Sequence, residues 1–379
     1  VSNDRPVRGY VETLKAEIAL ISARLPEGVR LSRLHWGGGT PTILPPDAIA
    51  DLAGAITERI PFAEGAEFSV EIDPMEVDEA RVAALAAAGM NRASIGIQDF
   101  DPLIQEAIGR PQPFERTREV VAMLREAGVT SLNADMVYGL PHQSLARITR
   151  TTEQLLELAP DRVALFGYAH VPWMSRRQVM IPEAALPAPE ERLALFRRAA
   201  GLLEGAGMVP IGIDHFARPG DGLARALAER RLHRNFQGYT DDAAPTLIGV
   251  GASAIGRFRQ GYVQNAPATA AYQARIRDGG LATVRGHAFS DEDLRRARII
   301  EELMCYFEAD VAAAAEGAEA PLAEALRADA ERAAERFAEH VRWDGARLAI
   351  TARRRPLARL VARVFDAYTG TGARHSAAI

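Results

Sequence analysis

Short apolar segments alternate with amphipathic helical segments along the first two thirds of the chain, and this alternation constrains the fold most. The apolar segments are short and bounded by turn residues, as buried strands are. They are 31–36, 67–72, 93–97, 131–137, 163–168 and 208–213. A strand followed by a helix, repeated, places neighbouring strands in parallel, because the helix crosses over between them. The sequence therefore predicts an α/β fold on a parallel sheet.

The segments between these strands carry apolar residues at helical spacing. They are 46–59, 78–88, 114–127, 144–158 and 189–206, and a further helix at 10–23 precedes the first strand. Asp78 and Ser144 are suitable N-caps, and Gly89, Gly128 and Gly207 are suitable C-terminal stops. Periodicity alone leaves open whether the sheet closes into a barrel, but the polar strand ends described below favour a barrel-like sheet.

The last third of the chain has a different pattern. Alternation fades after about residue 217, and from 290 the chain is helical, with main segments at 292–307 and 321–340 and an Ala-rich linker at 312–320. Asp344-Gly345 predicts a hairpin before a last helix at 355–367. This order resembles a winged helix. It fits DNA binding through Arg353-Arg354-Arg355 or a domain that packs over the barrel, and the acidic helices favour the second.

Composition is that of an ordinary globular protein. The 379 residues are 48% hydrophobic and 25% charged, with a net charge of −5, which does not support general polyanion binding. No apolar segment reaches the roughly 18 residues that a membrane span needs, so we expect a cytoplasmic protein. Cys305, the one cysteine, lies among periodic apolar residues and is predicted to be a core residue. A single thiol cannot by itself hold an iron–sulfur cluster.

A run of three glycines and a threonine, residues 37–40, follows the first predicted strand. Without Cβ atoms, this backbone can approach a ligand closely and present N–H groups to it. No Gly-Lys-Ser/Thr follows, as a phosphate loop requires, and Pro41 interrupts the direct turn into a helix of a dinucleotide fingerprint. A third kind of ligand is therefore favoured over these two, and a simple tight turn stays open.

The later strands also end in polar residues. Chemistry in parallel β/α domains sits at the carboxyl edge of the sheet, where each strand delivers a residue to a common site. One such ending is unremarkable, but a series of six favours a shared site. The guanidinium of Arg110 can fork onto a carboxylate, and the whole set suits an amino-acid-plus-ribose ligand. The residues after the glycine run are Glu71 and Asp73, Gln98 and Asp99, Asp135 and Tyr138, Tyr168 and His170, and Asp214 and His215.

Seven ordered motifs together resemble the oxygen-independent coproporphyrinogen III oxidases, which are radical S-adenosylmethionine enzymes. The haem chaperones, a related branch, are similar around the glycine run and Tyr138-Gly139-Leu140-Pro141. Three of the motifs, at 98–100, 214–216 and 233–239, are similar to the oxidase branch instead. The seven are His-Trp-Gly-Gly-Gly-Thr-Pro-Thr at 35–42, Glu-Ile-Asp-Pro at 71–74, Gly-Ile-Gln-Asp-Phe at 96–100, Asp-Met-Val-Tyr-Gly-Leu-Pro at 135–141, Tyr-Ala-His at 168–170, Asp-His-Phe-Ala-Arg-Pro at 214–219 and His-Arg-Asn-Phe-Gln-Gly-Tyr at 233–239.

The resemblance implies a partial (β/α)6 TIM-like barrel whose first strand is missing from this sequence, with a mostly helical C-terminal domain. The expected parts are a radical-SAM partial barrel at 1–216, an extension and connecting region at 217–289, and a winged-helix-like domain at 290–379. It also implies two S-adenosylmethionine molecules near a [4Fe–4S] cluster. Their expected contacts are Gly38, Gly39 and Thr40 through backbone groups and the hydroxyl, Glu71 to a ribose or ammonium, Gln98, Arg110 and Asp135 to the second molecule, and Ala169 and Ile255 near adenine, where core packing is an equal alternative.

In this family a 5′-deoxyadenosyl radical removes a hydrogen from a propionate β-carbon, and loss of carbon dioxide and one electron leaves a vinyl group. Two rounds convert coproporphyrinogen III to protoporphyrinogen IX. Partners implied are this substrate, an electron donor and an electron acceptor, with neither nucleic acid nor a membrane span, and we expect a monomer. The substrate carries four carboxylates, so arginines and histidines near the site are candidate contacts, although solvated arginines and structural histidines are ordinary alternatives. The candidates are His170, His215, Arg218 and Arg234, with Arg176, Arg177 and His233 as further ones.

The sequence departs from the family at its start. The family's Cys-x3-Cys-x2-Cys loop and the strand before it are not in this sequence, so we expect the chain as given to be inactive in radical formation and to offer no metal ligands. One explanation is a chain truncated at its N-terminus, which the joint presence of the glycine run, Arg110 and Asp135 favours. The alternative is a haem- or porphyrin-binding chaperone-like paralogue without radical chemistry. An aldolase-type barrel would need a reactive lysine, and Lys15 lies on the opening helix.

Overall fold

The computed structural model describes residues 4–173, 176–351 and 356–368, with the side chains of Arg176 and Arg177 outside this description. The chain divides into two compact units. The first unit consists of Val1–Gly96, Glu115–Asn133 and Ala244–Phe289, and the second unit consists of Ile97–Phe114, Ala134–Ala243 and Ser290–Ile379. The predicted three-part division at 216 and 289 stays a prediction.

Helices and strands alternate up to residue 217, as the sequence predicts. The helices are α1 (Arg5–Ser22), α2 (Pro46–Thr57), α3 (Glu79–Ala87), α4 (Pro102–Ala107), α5 (Phe114–Glu126), α6 (Leu145–Glu157), α7 (Pro189–Gly205), α8 (Gly222–Ala228), α9 (Thr269–Arg277), α10 (Asp291–Tyr306), α11 (Val311–Ala315), α12 (Ala320–Arg336) and α13 (Ala358–Ala362). The strands are β1 (Leu31–Trp36), β2 (Phe62–Ile72), β3 (Arg92–Gln98), β4 (Ser131–Tyr138), β5 (Arg162–Gly167), β6 (Val209–Ile211), β7 (His215–Ala217), β8 (His233–Asn235), β9 (Gly238–Thr240), β10 (Ile255–Phe258), β11 (Gly261–Asn265), β12 (Thr283–Ala288), β13 (Glu308–Asp310), β14 (Val341–Trp343) and β15 (Arg347–Ile350).

In the first unit, strands β1, β2 and β3 pair in parallel, which confirms the predicted sheet. Trp36 pairs with Val70, and Ile72 pairs with Ile95. Phe68, Val70 and Ile72 are at most 3% exposed, so this strand is buried along its C-terminal half. The pairing places the residues after β1 beside the last residues of β2.

The predicted helix boundaries rest on side-chain caps and glycines that the structure contains. Asp78 accepts a hydrogen bond from the backbone of Arg81 at 2.8 Å, and Ser144 accepts one from Arg147 at 3.3 Å. Each cap satisfies one of the free N–H groups at a helix start. The glycines after α3, α5 and α7 adopt positive φ angles of 98°, 94° and 82°, which are costly for other residues. They are Gly89, Gly128 and Gly207.

The helix α1 is fixed within the first unit by a buried carboxylate. Glu17 is 1% exposed and accepts hydrogen bonds from Gly251 N, Tyr272 Oη and Asn265 Nδ2, each at 2.7 Å. Tyr10, on the same helix, accepts a further bond from Ala252 N at 2.9 Å. These contacts join α1 to the chain around residue 251 and to the antiparallel sheet of β10, β11 and β12, which the sequence reading did not predict.

The prediction for 208–213 as a sixth strand of the parallel sheet is wrong in its extent and its pairing. Strand β6 has three residues, and the chain reverses after it through Gly212, whose φ is 55°. Strand β7 then pairs antiparallel with β6 and antiparallel with β5. The apolar segment 208–213 therefore contains a strand and the start of a tight turn, which apolar pattern alone does not separate.

The C-terminal part of the second unit contains the predicted hairpin. Strands β14 and β15 pair antiparallel, Gly345 has φ 90°, and Asp344 Oδ1 accepts from the backbone of Ala346 and Arg347. The prediction of a linker at 312–320 is wrong for its first residues. They belong to the helix α11, which Asp310 caps and whose Ala314 and Ala315 are 2% and 6% exposed, because small side chains fit against the core there.

Other boundaries in this part differ modestly. The last helix is shorter than predicted, with α13 followed by a single 3-10 turn at Arg363–Phe365. Cys305 is 0% exposed in the core, as predicted, and burial raises the pKa of its thiol to about 12. Within the described ranges, no helix is long and apolar enough to cross a membrane. Arg353, Arg354 and Arg355 lie outside the described residues.

Candidate functional site

The glycine cluster, defined as His35, Gly37, Gly38 and Glu71, lies in the first unit where β1 and β2 end. Gly38 N donates to Glu71 Oε2 at 3.2 Å, and His35 Nε2 lies 3.6 Å from Glu71 Oε1. A Cβ atom on Gly37 would lie 2.5 Å from His35 Nε2 and 2.6 Å from Glu71 Oε1. Only glycine at 37 therefore lets the imidazole and the carboxylate come this close to the backbone.

The backbone that follows is open. Gly38, Gly39 and Thr40 are exposed, and a Cβ on either glycine would meet no atom within 4 Å. Gly38 needs its φ of 79°, which other residues rarely adopt. Asp73 has a different role from Glu71, because its Oδ1 accepts from Met75 N at 2.9 Å and so fixes the turn after β2. Glu71 and Asp73 therefore differ in their contacts, since Glu71 accepts from the backbone of Gly38 and Asp73 accepts within its own turn.

The Asp99 cluster, defined as Asp99, Gln105, Gln143 and Thr151, lies in the second unit after β3. Asp99 is 0% exposed, and its carboxylate accepts from Gln143 Nε2 and Thr151 Oγ1, each at 2.7 Å, and from Asp101 N at 2.8 Å. Burial raises the pKa of the Asp99 carboxyl above its usual range, against these hydrogen bonds, which lower it. Sequence reasoning paired Asp99 with Gln98 as a possible ligand group, but its oxygens are committed to the protein.

Gln98, just before Asp99, is held in an uncommon conformation. Its φ is 65°, and the N–H of Asp99 donates to the carbonyl of Ile97 at 2.9 Å, which closes a γ-turn around Gln98. Turns of this hand are rare and strained for residues other than glycine. Gln98 is half-buried. Strain of this kind concentrates at functional sites, where the surrounding structure maintains it.

Three more predicted ligand residues lie in the second unit. Arg110 follows α4 in a short loop, where its backbone N–H donates to Gln105 O at 2.8 Å and its Nε lies 3.4 Å from Gln112 Oε1. Asp135 is a half-buried residue of β4, and Ala169 is half-buried directly after β5. Ile255, in the first unit, begins β10 and is also half-buried. All four positions leave part of the residue accessible to a ligand.

The Asp214 cluster, defined as Asp214, His215, Arg234 and Arg359, forms a charged group in the second unit. Asp214 is 8% exposed, with Oδ1 2.7 Å from His215 Nδ1 and Oδ2 2.9 Å from Arg359 Nη2. Burial by itself would raise the pKa of the Asp214 carboxyl, but the hydrogen bond from His215 and the charges of His215, Arg359 and Arg234 outweigh it and lower that pKa. His215 also packs edge-on against Phe166 and Tyr239.

The remaining predicted substrate residues differ in how far the protein already uses them. Arg218 donates through Nε to Pro160 O at 3.2 Å and through its backbone to Asp161 O at 2.9 Å, so it joins the end of β7 to the residues before β5. His170 Nδ1 lies 3.3 Å from Tyr168 Oη. Arg234 stacks over Tyr239 at 5.5 Å, and its buried Nε has no hydrogen-bond partner among the described residues. Arg234 therefore keeps an unused donor.

Two arginines of this region were missed by sequence reasoning. Arg359 reaches Asp214 from α13, and Arg192 of α7 donates through Nη2 to Tyr168 O at 2.8 Å. The buried Nε of Arg192 also lacks a partner within the described part of the chain. Helical spacing gave no signal for either residue, since Arg192 shares its helix with Arg197 and Arg198 and Arg359 lies on a helix of only five residues. A small cavity beside them is lined by Tyr138, Gly167, Phe196, Asp214 and Arg359, among others, and by none of the predicted cofactor contacts.

The described residues offer no donor set for a metal ion. They bring together no group of three or more histidine, cysteine, aspartate or glutamate side chains that would hold a metal ion. The one cysteine of the sequence, Cys305, is buried in the core. Iron–sulfur clusters need several thiolate ligands. The residues of this chain therefore do not fit a [4Fe–4S] cluster.

Comparison with known proteins gives consistent relatives. The Radical SAM superfamily model matches residues 3–155. An oxygen-independent coproporphyrinogen III oxidase of Paracoccus denitrificans is 58% identical over 379 residues, covering 100% of this chain and 83% of that protein. One from Cereibacter sphaeroides is 54% identical over 375 residues, covering 98% and 82%. A solved structure of coproporphyrinogen III oxidase from Escherichia coli, described as a radical SAM enzyme, superposes with a TM-score of 0.89 at 34% identity, covering 97% of this chain and 85% of that one.

Proposed function

Because the chain belongs to the oxygen-independent coproporphyrinogen III oxidases, we propose that it serves the oxidative decarboxylation of coproporphyrinogen III in anaerobic haem biosynthesis. Two propionate side chains become vinyl groups, and the product is protoporphyrinogen IX. The observation that carries this proposal is the similarity of the whole of this chain to 83% of a named oxidase, together with the glycine cluster after β1. The enzyme class is an oxidoreductase that uses S-adenosylmethionine.

The first S-adenosylmethionine molecule is assigned to the glycine cluster. The N–H group of the exposed residue Gly39 and the hydroxyl of Thr40 are donors of the kind that a ligand carboxylate accepts, while the N–H of Gly38 is bonded to Glu71. Glu71, anchored by Gly38 N at 3.2 Å, still presents carboxylate oxygen to an ammonium or ribose hydroxyl. A cation beside this glutamate would be stabilised by its charge. The open space at Gly38 and Gly39 supports close approach of the ligand.

The second S-adenosylmethionine molecule is assigned to Gln98, Arg110 and Asp135. Arg110 pairs with the carboxylate of the amino acid, because a guanidinium forks onto two oxygens. Gln98 and Asp135 bind the other polar groups, and the strained turn at Gln98 supports a role beyond packing. Ala169 and Ile255 are proposed as adenine-side contacts, supported by their partial exposure next to strand ends.

The four carboxylates of coproporphyrinogen III are proposed to meet His170, His215, Arg218 and Arg234. The support differs among these residues. Arg234 keeps an unused buried donor, and His215 is oriented by Asp214 through Nδ1, which leaves Nε2 for another group. Arg218 already donates through Nε to Pro160 O, so only its terminal nitrogens would serve the substrate. Arg176 and Arg177 were further candidates, and their side chains lie outside the described residues.

The family's radical chemistry uses a [4Fe–4S] cluster, which the described residues and the single cysteine of the sequence do not fit. We also propose the finer architecture of the family, a partial (β/α)6 barrel with a winged-helix-like C-terminal domain, supported by the 0.89 TM-score. A monomer in the cytoplasm that meets an electron donor and an electron acceptor completes the proposal.

The test is ligand binding to the 379-residue chain, measured by calorimetry for S-adenosylmethionine and by fluorescence for coproporphyrin III. We expect binding of both. Glu71→Gln should weaken S-adenosylmethionine binding about tenfold, the loss of one charge-assisted contact. Glu67→Gln is the matched control on the same strand, because Glu67 pairs with Arg33 and Arg92 instead. Failure to bind S-adenosylmethionine would refute the assignment, and porphyrin binding without it would favour a chaperone-like paralogue.

Iron binding is tested separately. After anaerobic reconstitution, iron analysis and visible absorption should show no stable cluster on these 379 residues, because one buried thiol is their whole supply of cysteine ligands. A stable cluster with four irons per chain would contradict the conclusion that these residues do not fit a [4Fe–4S] cluster.

A further inference from the structure

The turn between β3 and α4 combines a strained residue with a fully buried acid. Gln98 has φ 65° at the centre of the γ-turn closed by Asp99 N and Ile97 O. A non-glycine residue in this conformation is strained and persists only where its surroundings over-determine it. The residue that follows Gln98 in the chain, Asp99, holds the turn in this conformation.

Asp99 is that constraint on the C-terminal side of the turn. Its carboxylate is 0% exposed and is held from three directions by Gln143 Nε2, Thr151 Oγ1 and Asp101 N. Its carbonyl accepts a fourth bond, from Gln105 Nε2 at 2.9 Å. A residue fixed at both its side chain and its backbone cannot rotate to relieve the turn before it.

The partners of Asp99 are themselves held by further hydrogen bonds, so the Asp99 carboxylate stays fixed in position. Thr151 is 1% exposed on α6 and accepts from Phe100 N at 3.3 Å. Gln143 accepts from Gly139 N at 2.6 Å and donates to Val137 O at 2.8 Å, which ties it to the end of β4. The same network therefore fixes the turn after β3 and the turn after β4.

We propose that Asp99 is a positioning residue that acts through Gln98, holding its side-chain amide in the orientation that binds the second S-adenosylmethionine. The proposal rests on the proposed function, which assigns Gln98 to that ligand. Asp99 does not touch the ligand, because its oxygens are buried and already bonded. Fold stability alone does not require the strained turn, since an ordinary turn there would avoid its cost.

A double-mutant cycle tests this proposal on the printed chain, with the dissociation constant of S-adenosylmethionine as the readout. Asp99→Asn turns one acceptor oxygen into a donor and should weaken binding roughly tenfold when Gln98 is present. In the Gln98→Ala background the same change should weaken binding less than about twofold, because the group that Asp99 positions is gone. A merely structural role would give equal losses in both backgrounds, and that result would overturn the proposal.

Two further variants keep the test decisive. Thr151→Val removes one donor to Asp99 and should weaken S-adenosylmethionine binding less than Asp99→Asn does, again only when Gln98 is present. This variant replaces Asp99→Asn in the test if Asp99→Asn does not fold. Asp101→Asn is the matched control, because its carboxylate caps Leu103 N and pairs with Arg147 instead. It should leave binding within about twofold. A wild-type chain that does not bind S-adenosylmethionine would refute the proposed function and this inference together, whereas binding with additive losses refutes the inference alone.

Discussion

His215 Nδ1 lies 2.7 Å from Oδ1 of Asp214, its neighbour in the chain. Adjacent residues of a strand point in opposite directions, but Asp214 precedes β7 and belongs to the tight turn after β6, so its side chain can reach forward to the imidazole. Arg359 occupies the second oxygen of the same carboxylate at 2.9 Å. One buried acid thus orients a histidine at a strand start and anchors the helix α13.

Asp214→Asn should destabilise the protein by about 1–2 kcal/mol at pH 7, because an amide replaces the buried carboxylate that contacts His215 Nδ1 and pairs with Arg359, whose side chain is 45% exposed. The folded-state pKa of Asp214 is lowered, so its contribution is present above the pKa of an unfolded aspartate, about 3.9, and is lost as the pH falls through the lower folded value. Urea unfolding at pH 7 and pH 3 should therefore show a smaller difference at pH 3. Asp51→Asn, at the exposed pair with Lys15, is the control, and an equal difference at both pH values for Asp214→Asn would contradict the prediction.

Glu17→Gln should show the opposite pH dependence. Burial raises the pKa of Glu17, so the folded state holds the proton more tightly than the unfolded one, and the wild-type advantage falls as the pH rises above about 4.3 through the folded value. The substitution also sets an amide N–H against hydrogen-bond donors, which costs about 1–3 kcal/mol. Unfolding free energies at pH 4 and pH 7.5 should show the larger loss at pH 4. Glu12→Gln, exposed on the same helix, should show no such trend.

Gly37→Ala and Gly39→Ala should separate folding from binding. The Cβ at 37 would collide with His35 and Glu71, so this variant should lower the unfolding midpoint and disturb Glu71. The Cβ at 39 meets nothing within 4 Å, so stability should stay within about 0.5 kcal/mol while S-adenosylmethionine binding weakens by obstruction of the exposed backbone. Thermal unfolding and calorimetry measure the two effects. Unchanged binding in Gly39→Ala would remove residue 39 from the proposed site.

Tyr239→Phe should destabilise the second unit by about 1–3 kcal/mol. The hydroxyl of Tyr239 accepts from Ile213 N at 3.1 Å and donates to Met304 O at 2.9 Å, and its loss leaves both buried backbone groups unpaired. Tyr262→Phe is the control, because Tyr262 is 39% exposed. Chemical denaturation checks the difference, and equal stability of the two variants would show that water replaces the missing hydroxyl.

The elements that the sequence predicted well are those whose signals are local. Segment 31–36 matches β1, and Asp78, Ser144 and Gly89 mark helix ends where the structure has them. Tight reversals and short antiparallel strands were missed, because three residues such as β6 carry too little periodicity. The Ala-rich segment was misread since alanine suits both a linker and a helix packed against a core, and only burial distinguishes them.

For the candidate site, sequence reasoning found residue types but not their commitments. Asp73 and Asp99 carry the same carboxylate as Glu71, yet the first fixes a turn and the second is wholly buried in a hydrogen-bond network. The partners that commit them, such as Gln143 and Thr151, are 44 and 52 residues away from Asp99. Arg359 is farther still, 145 residues from Asp214. Pairings over such separations depend on tertiary packing, which local pattern does not encode.

The burial of Cys305 makes this chain a convenient background for site-directed labelling. Its sulfur is 0% exposed and its pKa is raised to about 12, so at neutral pH a maleimide or nitroxide reagent finds almost no thiolate there. A cysteine introduced on any exposed loop would then be the single reactive position, without prior removal of a native one. Pairs of such probes would report the distance between chosen points of the two units, before and after ligand is added.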